Sequence, residues 1–271
     1  MQLLQKFLIH VGKTSYHLAN RIEGKTLYTY SETSDVTFAE GATLIHDLLL
    51  QEHVRINRII AVEYPSREKL FDEALSIAEQ RGIPIIKTVM HKERLRGLHK
   101  GFLIVAEVNK PEAKLLPGDH LILYDPAIPR NIGAVLRSAA AFGIRDVAII
   151  NREHPFDLDS PQIVRSSMGT RLMVRVEEFP DIEAYRERFP ENKLYAFMLD
   201  PNACGLAEVR KEEPFTLIFG NETMGLPEVF AGFCQPVFIE QENTVDSLNL
   251  ANAASIALYT FMKNQKGDVS R

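Results

Sequence analysis

The chain has 271 residues and a formal net charge of −5, and 45% of its residues are apolar while 25% are charged. This composition is that of an ordinary soluble globular protein, and the length allows two domains. The negative total charge argues against a uniformly basic surface, so an RNA partner would require a local cluster of cations.

Targeting signals and reactive cysteine patterns are not evident in the sequence. No apolar run approaches the length of a membrane span, and the first ten residues are too mixed and too short for a signal peptide. Cys204 and Cys234 have neither a metal-ligand spacing nor a pairing pattern. We therefore expect two inert thiols, no metal site, no membrane contact and a cytoplasmic location.

The first part of the chain predicts a small α/β domain at residues 35–108. Residues 1–34 indicate a helix and a Ser/Thr-rich stretch that has no clear assignment. Apolar periodicity predicts two helices in the domain, one after Phe38 and one from Arg67. Strands are predicted at 56–62, 83–86 and 102–108. The polar stretch 109–117 contains prolines and is the predicted linker to a second domain.

A first candidate RNA-binding segment lies at residues 87–100, where cations outnumber a single glutamate. We expect Lys92, Arg94 and Arg96 to contact RNA, and a solvated charged face is an equally good interpretation.

A second candidate RNA-binding segment lies at residues 164–171, where small hydroxyl residues and a glycine lie between two arginines. Such a segment suits a phosphate or ribose pocket, so we expect contacts from Arg165 and Ser167. A polar helix end is the equal alternative.

Strands and helices alternate from residue 118 to 271, which predicts a mostly parallel sheet with helices on both faces. The predicted strands lie at 120–124, 146–150, 172–176, 194–199, 215–219 and 236–239. The predicted helices lie at 131–142, 161–168, 181–188, 226–232 and 248–263. In open α/β sheets, ligands bind beyond the carboxyl ends of the strands.

Three segments of this second part place polar side chains where a strand ends and a helix begins. The first follows strand 120–124 and carries Asn131, Gly133 and Arg137 in the order N-x-G-x-x-x-R. Gly133 would leave the first helical turn bare enough for a ligand to approach the backbone. By itself, this segment is equally compatible with a helix start that carries one exposed arginine.

The other two segments have the same arrangement. One follows strand 215–219 and reads Gly220-Asn221-Glu222, and the other follows strand 236–239 and contains Ser247-Leu248-Asn249. Because carboxyl ends of parallel strands meet at one edge of a sheet, we expect all three segments to border a single site.

Taken together, the three segments resemble the signature motifs of the SpoU (TrmH-like) family of RNA 2′-O-ribose methyltransferases in the SPOUT superfamily, over about residues 118–263. The resemblance implies an S-adenosylmethionine-dependent enzyme, a trefoil-knotted α/β fold and a homodimer formed through the C-terminal domain. The domain at 35–108 is similar to the L30e-like substrate-binding domain that often precedes the SpoU domain. Ribosomal RNA is the expected substrate, and tRNA is the alternative.

The resemblance also implies roles for individual residues. The catalytic set is Asn131, Arg137, Glu222, Ser247 and Asn249. The cofactor would be bound largely through backbone groups at Leu199, Gly220, Asn221, Ile239 and Leu248. Local structure offers simpler roles for some of them, namely a turn carboxylate for Glu222, a helix-cap amide for Asn249 and a helix N-cap for Ser247.

The chemistry of methyl transfer restricts the role of Arg137. A guanidinium has a pKa above about 12 and is therefore a poor base. It is better suited to stabilise the developing alkoxide and to hold a neighbouring phosphate. The residues leave open whether the hydroxyl proton leaves through that phosphate or through water.

The sequence disfavours two other classes of function, a non-catalytic RNA-binding protein and a Rossmann oxidoreductase. A non-catalytic RNA-binding protein with the same fold is disfavoured, because Asn131, Arg137, Glu222 and Asn249 are all intact. A Rossmann oxidoreductase is disfavoured because no G-x-G-x-x-G motif follows any predicted strand.

Overall fold

A computed structural model of the chain describes residues 21–22, 25–26, 30–63, 69–89, 104–150, 156–242 and 247–263. The described residues form two compact units. Unit 1 contains the described chain up to Lys110 together with Asp157–Arg165, and unit 2 contains the remainder. The division after Lys110 falls at the start of the predicted linker, but the sequence pattern does not predict that Asp157–Arg165 belongs to unit 1.

Unit 1 is built on a four-stranded sheet. The strands are β3 (Val36–Glu40), β4 (Ile56–Glu63), β5 (Ile85–Val89) and β6 (Ile104–Asn109). Their order is β3-β6-β4-β5, in which β6 is antiparallel to both neighbours and β5 is parallel to β4. Two short strands, β1 (Arg21–Ile22) and β2 (Lys25–Thr26), form a separate antiparallel pair.

The helices of unit 1 are α1 (Ala42–Leu49) and α2 (Lys69–Gln80). The apolar spacing of α1 predicts one inward face, and its four members are buried: Leu44, Ile45, Leu48 and Leu49. In α2 the buried residues are Phe71, Ala74, Leu75 and Ala78, as the spacing predicts. These apolar faces explain why both segments are helical within a folded unit.

Polar contacts hold the segment Asp157–Arg165 within unit 1. The hydroxyl of Tyr30 donates to the carboxylate of Asp157, and the hydroxyl of Thr37 donates to the carbonyl of Asp159 at 2.5 Å. Burial raises the pKa of Tyr30 far above its ordinary value, so the phenol stays protonated and keeps its donor role.

Unit 2 is built on a seven-stranded sheet in which every described pairing is parallel. Its strands are β7 (His120–Tyr124), β8 (Asp146–Ile150), β9 (Arg175–Glu178), β10 (Lys193–Phe197), β11 (Cys204–Gly205), β12 (Phe215–Phe219) and β13 (Gln235–Phe238). Their order is β11-β13-β10-β12-β7-β8-β9. The predicted parallel sheet is therefore confirmed, with the short β11 as an addition.

The remaining helices are α3 (Pro129–Phe142), α4 (Pro161–Ser166), α5 (Ile182–Arg188) and α6 (Leu250–Lys263). Of these, α4 lies in unit 1 except for its last residue. Helix α3 ends at Gly143, whose φ of 95° is left-handed, as the glycine in the sequence predicts. Helix α6 packs against α3, and the hydroxyls of Ser138 and Ser255 are 2.8 Å apart across that contact. None of the described helices is long and apolar enough to cross a membrane.

Several predicted elements differ from the structure in type or bounds. Helix α4 ends at Ser166 because Met168 and Gly169 have left-handed φ values of 51° and 79°, and β9 consequently begins at Arg175 and not at residue 172. The predicted helix at 226–232 is a short 3-10 turn, Glu228–Gly232, that begins after Pro227.

A buried hydrogen-bond network surrounds His120 at the amino end of β7. The imidazole Nε2 donates to the carbonyl of Leu116 at 2.7 Å, because a carbonyl can only accept. In the neutral imidazole the Nδ1 then accepts from the hydroxyl of Tyr185 at 2.7 Å. That phenol lies 2.7 Å from the hydroxyl of Thr216, which accepts from the amide of Asn192 at 2.9 Å. Burial favours this neutral form of the imidazole over the charged form.

We expect the stability of the protein to fall on acidification because of His120. Burial lowers the pKa of His120 below its ordinary value of about 6.5, so the unfolded chain binds the proton more readily than the folded one. The contribution is complete above about pH 6.5 and is lost as the pH falls towards the lowered pKa. Urea unfolding at several pH values should show a flatter pH profile for His120→Gln, and an unchanged profile for the exposed control His53→Gln.

Candidate functional site

The carboxyl ends of four neighbouring strands border the candidate site in unit 2. Strands β13, β10, β12 and β7 are adjacent in this order. Ile239 follows β13, Leu199 lies two residues beyond β10, Gly220 follows β12, and Asn131 lies in the first turn of α3 after β7. Neighbouring strands are about 4.8 Å apart, so the three segments beyond β13, β10 and β12 span about 10 Å. The fold thus gathers residues that are distant in sequence at one edge.

Glu222 joins the loop after β12 to the loop after β7. Its Oε2 accepts from the backbone N–H of Ala127 at 2.8 Å, and its Oε1 accepts from the backbone N–H of Ile128 at 3.2 Å. Its Oε1 also accepts from the side-chain amide of Asn131 at 2.9 Å. Helix α3 has no side-chain cap from Ile128, so Glu222 supplies an anionic partner at the positive end of this helix.

Asn131 and Asn249 extend this contact to the third loop. The side-chain carbonyl of Asn131 accepts from the amide of Asn249 at 3.2 Å. Asn249 also caps α6, because its side-chain oxygen accepts from the backbone N–H of Ala251 at 2.9 Å. The chain Glu222–Asn131–Asn249, which we call the loop junction, therefore connects all three predicted segments.

Ser247 is exposed and does not cap the last helix, since Asn249 has that role. The alternative interpretation of Ser247 as the N-cap is therefore wrong. A helix cap adjoins the first helical residue, and α6 begins later than the sequence pattern predicts, at Leu250.

Asn221 organises the loop that carries Glu222. Its side-chain amide donates to the carbonyl of Asp125 at 2.8 Å, and its oxygen accepts from the backbone N–H of Thr223 and Met224 at 2.8 and 3.0 Å. The side chain is buried and makes three of the four hydrogen bonds that an amide can make. Because these bonds hold the side chain within the loop, the predicted cofactor contact of Asn221 would come from its backbone.

Gly220 is required because the backbone of the same loop passes directly over it. A Cβ atom at this position would lie 2.2 Å from the carbonyl carbon of Gly225 and 2.4 Å from the nitrogen of Leu226. Both are backbone atoms that a side-chain rotation cannot move away. The glycine in this motif therefore allows the chain to fold back directly over β12.

Gly133 has a different role from the predicted one. A Cβ atom there would lie 2.1 Å from the hydroxyl oxygen and 2.8 Å from the carbonyl carbon of Ser166. Gly133 is buried, so the close approach it permits is that of Ser166, the last residue of α4, and not that of a ligand. The prediction of a bare first turn is wrong for this reason.

Arg137 lies outside the loop junction. It is six residues beyond Asn131 in α3 and points about 120° away around the helix. Its side chain is exposed, and no described residue forms a hydrogen bond or ion pair with it. Glu222 is therefore a partner of Asn131 and of backbone N–H groups, while Arg137 is left available for a ligand.

The second predicted RNA-binding segment has contacts within the protein. Arg165 forms an ion pair with Glu40, with 3.2 Å between Nη1 and Oε2, and the Glu40 side chain is only 1% exposed. The hydroxyl of Ser167 is fully buried and accepts from the backbone N–H of Arg171 at 3.2 Å. The predicted RNA contact of Ser167 is wrong, since a buried hydroxyl cannot reach RNA. The predicted contacts of Lys92, Arg94 and Arg96 lie outside the described residues.

The backbone candidates for cofactor binding differ in exposure. Leu199 is 78% exposed, whereas Ile239 and Leu248 are half-buried. Three adjacent backbone segments over about 10 Å, with apolar side chains beside them, suit a nucleoside that is held by backbone groups and flanked by apolar walls. No group of three potential metal-ligating side chains occurs among the described residues.

We expect Glu222→Gln to lower the free energy of unfolding by about 1–3 kcal/mol. The carboxylate accepts from three N–H donors, whereas a glutamine amide offers one acceptor oxygen and turns an NH₂ group towards donors. Urea unfolding would measure the change. The control is Glu228→Gln, at an exposed carboxylate of the neighbouring 3-10 turn. Its free energy of unfolding should stay within about 0.5 kcal/mol of the wild-type value. Equal stability of both variants would contradict the role of the loop junction.

The second half of the chain is similar in sequence to known RNA methyltransferases. A family model described as the SpoU rRNA Methylase family matches residues 119–259. An uncharacterized tRNA/rRNA methyltransferase from Synechocystis sp. is 32% identical over 139 residues, which cover 51% of this chain and 50% of the relative. A 23S rRNA (uridine(2479)-2′-O)-methyltransferase from Streptomyces viridochromogenes is 31% identical over 152 residues, covering 53% of this chain and 52% of the relative. The chain thus spans about half the length of these relatives.

Solved structures resemble a larger part of the chain. The SpoU methyltransferase AviRb from Streptomyces viridochromogenes, in complex with the cofactor AdoMet, has a TM-score of 0.67 at 24% identity and covers 85% of this chain and 91% of its own. An AdoMet-bound rRNA methyltransferase from Sinorhizobium meliloti has a TM-score of 0.68 at 21% identity and covers 86% of this chain and 89% of its own. At these identities the likeness concerns the fold, and it confirms the predicted α/β class. The trefoil knot and the L30e-like nature of unit 1 stay predictions.

Proposed function

Because the chain belongs to the SpoU rRNA Methylase family, we propose that it transfers a methyl group from S-adenosylmethionine to a ribose 2′-hydroxyl of structured RNA. The observation that carries this proposal is the loop junction, in which Glu222, Asn131 and Asn249 connect three loops at one edge of the sheet. These are the same loops that contain the three motif-like segments. A ligand at this edge would be in reach of all three.

The residues at this edge fit the proposed cofactor. Backbone groups at Leu199, Gly220 and Ile239 would hold the adenosine, since they lie beyond adjacent strands and span a nucleoside's width. Leu248 would add an apolar contact from the third loop. When bound, S-adenosylmethionine supplies a methyl group on a sulfonium, so the bond from carbon to sulfur breaks as the bond from carbon to the ribose oxygen forms.

The proposed work of the protein is positioning and charge stabilisation. Arg137 would stabilise negative charge on the 2′-oxygen as the proton departs, since a guanidinium stays protonated in proteins. The same guanidinium would hold a neighbouring phosphate and so align the hydroxyl oxygen with the methyl group. Glu222 and Asn249 would act through Asn131 and the loop backbone, which they hold in place.

We propose rRNA as the substrate class, with unit 1 as the RNA-docking domain, and a homodimer through the C-terminal domain. The relatives include proteins named as rRNA and as tRNA 2′-O-methyltransferases. The alternative substrate is therefore tRNA, and the experiment must distinguish it from rRNA. We propose a cytoplasmic location, which the two cysteines without a pairing pattern favour.

The test is methyl transfer from methyl-labelled S-adenosylmethionine to in vitro transcribed rRNA and tRNA. We expect label in rRNA, in dinucleotides that resist alkaline cleavage because the 2′-oxygen is blocked. Label in tRNA alone would reassign the substrate class, and label on a base would contradict ribose methylation. Calorimetry with S-adenosylmethionine, NAD and ATP separately completes the test, since binding of NAD alone would favour an oxidoreductase.

A further inference from the structure

The arginines of unit 2 divide into two groups by their contacts. Those with a partner donate to a carbonyl, pair with a carboxylate or stack on a ring, and they are Arg145, Arg171, Arg175, Arg186 and Arg188. Three exposed arginines of the described part of unit 2 have a guanidinium without a hydrogen bond or ion pair: Arg130, Arg137 and Arg210. Contacts within the folded protein therefore explain the presence of the first group of arginines. They do not explain the presence of the second group.

Two of these three arginines lie on one face of α3. Arg130 and Arg137 are seven residues apart, which is 20° short of two full turns and about 10.5 Å along the helix axis. Both side chains are exposed. They therefore form a row of two cations on the helix that begins at the loop junction.

Helix energetics do not favour Arg130. It is the second residue of α3, and a cation near a helix N-terminus is opposed by the helix dipole. The first turn of α3 contains no acidic residue, and the carboxylate of Glu222 at this end of the helix accepts from three N–H donors and does not pair with Arg130. Since the net charge of the chain is −5, an unpaired cation at this position is not part of a generally basic surface.

We propose that Arg130 binds a phosphate of the same RNA strand whose ribose is presented to Arg137. This inference rests on the proposed function, and it adds a residue to which the resemblance of the three segments assigns no role. One strand that runs along the exposed face of α3 would place successive phosphates against the two guanidinium groups. Arg130 is then a binding residue that fixes the strand on one side of the target ribose, while Arg137 acts at the ribose itself.

The test compares Arg130→Ala with Arg130→Lys and with Arg210→Ala, which removes an exposed and unpaired arginine elsewhere in unit 2. Binding of poly(U) is measured from 50 to 200 mM salt, and methyl transfer is measured on in vitro transcribed rRNA. Arg130→Ala should weaken poly(U) binding about tenfold and reduce the slope of log K against log salt by about 0.7. Its KM for rRNA should rise about tenfold while kcat stays within about twofold.

The lysine variant should keep the salt slope because it keeps the charge, and Arg210→Ala should behave as the wild type. A wild-type enzyme that methylates RNA, together with an Arg130→Ala variant of unchanged KM and salt slope, would overturn this inference and leave the proposed function intact. A wild-type protein that neither binds S-adenosylmethionine nor methylates RNA would overturn both.

Discussion

Replacing Arg137 by alanine is expected to lower kcat for methyl transfer by about 10²- to 10³-fold, with little change in cofactor affinity or thermal stability. The side chain is exposed and has no partner among the described residues, so its removal breaks no contact that holds the fold. Its proposed role is limited to the acceptor side of the reaction, where it stabilises the developing alkoxide. Single-turnover methyl transfer, calorimetry with S-adenosylmethionine and thermal unfolding measure the three quantities.

The control for this variant is Arg145→Ala. Arg145 is also exposed, and it follows α3, where its guanidinium donates to the carbonyl of Ala140 at 2.6 Å. Loss of that bond should leave kcat unchanged. Arg137→Lys should recover only part of the rate, because a lysine keeps the charge but not the bidentate geometry. If Arg137→Ala lost cofactor affinity and turned over normally at saturation, the acceptor-side role would be wrong.

The location of the site could be predicted from the sequence because it depends on local pattern. Strand β7 and helix α3 follow directly from an apolar run and a periodic segment, and Gly143 marks the helix end. The rule that ligands bind beyond the carboxyl ends of parallel strands then places Asn131 and Glu222 at one edge. The rule does not predict that these two side chains form a hydrogen bond, which the structure shows at 2.9 Å.

Contacts between distant segments could not be predicted, because a single sequence does not record which segments become neighbours. Gly133 is required because Ser166, the last residue of α4, packs directly against it. The side chain of Ser167 is buried for a similar reason, since the chain turns there through Met168 with a left-handed φ of 51°. A polar segment between two arginines has the same composition whether it faces solvent or packs inward. Only the fold decides between the two.

The assignment of Asp157–Arg165 to unit 1 also depends on contacts between distant segments. The pattern predicts a helix at 161–168 within the second domain, and α4 does begin at Pro161. Its membership of unit 1 depends on the ion pair between Arg165 and Glu40 and on the bond from Tyr30 to Asp157. These partners are more than 120 residues apart in sequence, as the Tyr30–Asp157 separation of 127 illustrates. Arg165 therefore has a role within the protein that its motif-like surroundings do not indicate.

Gly220→Ala is expected to remove cofactor binding and to lower the free energy of unfolding by about 3 kcal/mol. The added Cβ would lie within 2.4 Å of backbone atoms of Gly225 and Leu226, so the loop must open to accept it. Opening the loop moves Glu222 away from its three N–H partners and separates the loop junction. Urea unfolding and calorimetry with S-adenosylmethionine measure the two effects.

Gly232→Ala provides a matched control for this steric argument. A Cβ atom at Gly232 would meet nothing within 4 Å, and its φ is not left-handed, so alanine should be neutral or stabilising by up to about 1 kcal/mol. Gly225→Ala separates backbone strain from overlap, because Gly225 has a φ of 68° and open space around its Cβ position. It should cost stability by strain alone and less than Gly220→Ala. Wild-type stability and cofactor affinity in Gly220→Ala would mean that the loop can relax without the glycine, and the geometry proposed for the cofactor site would then be wrong.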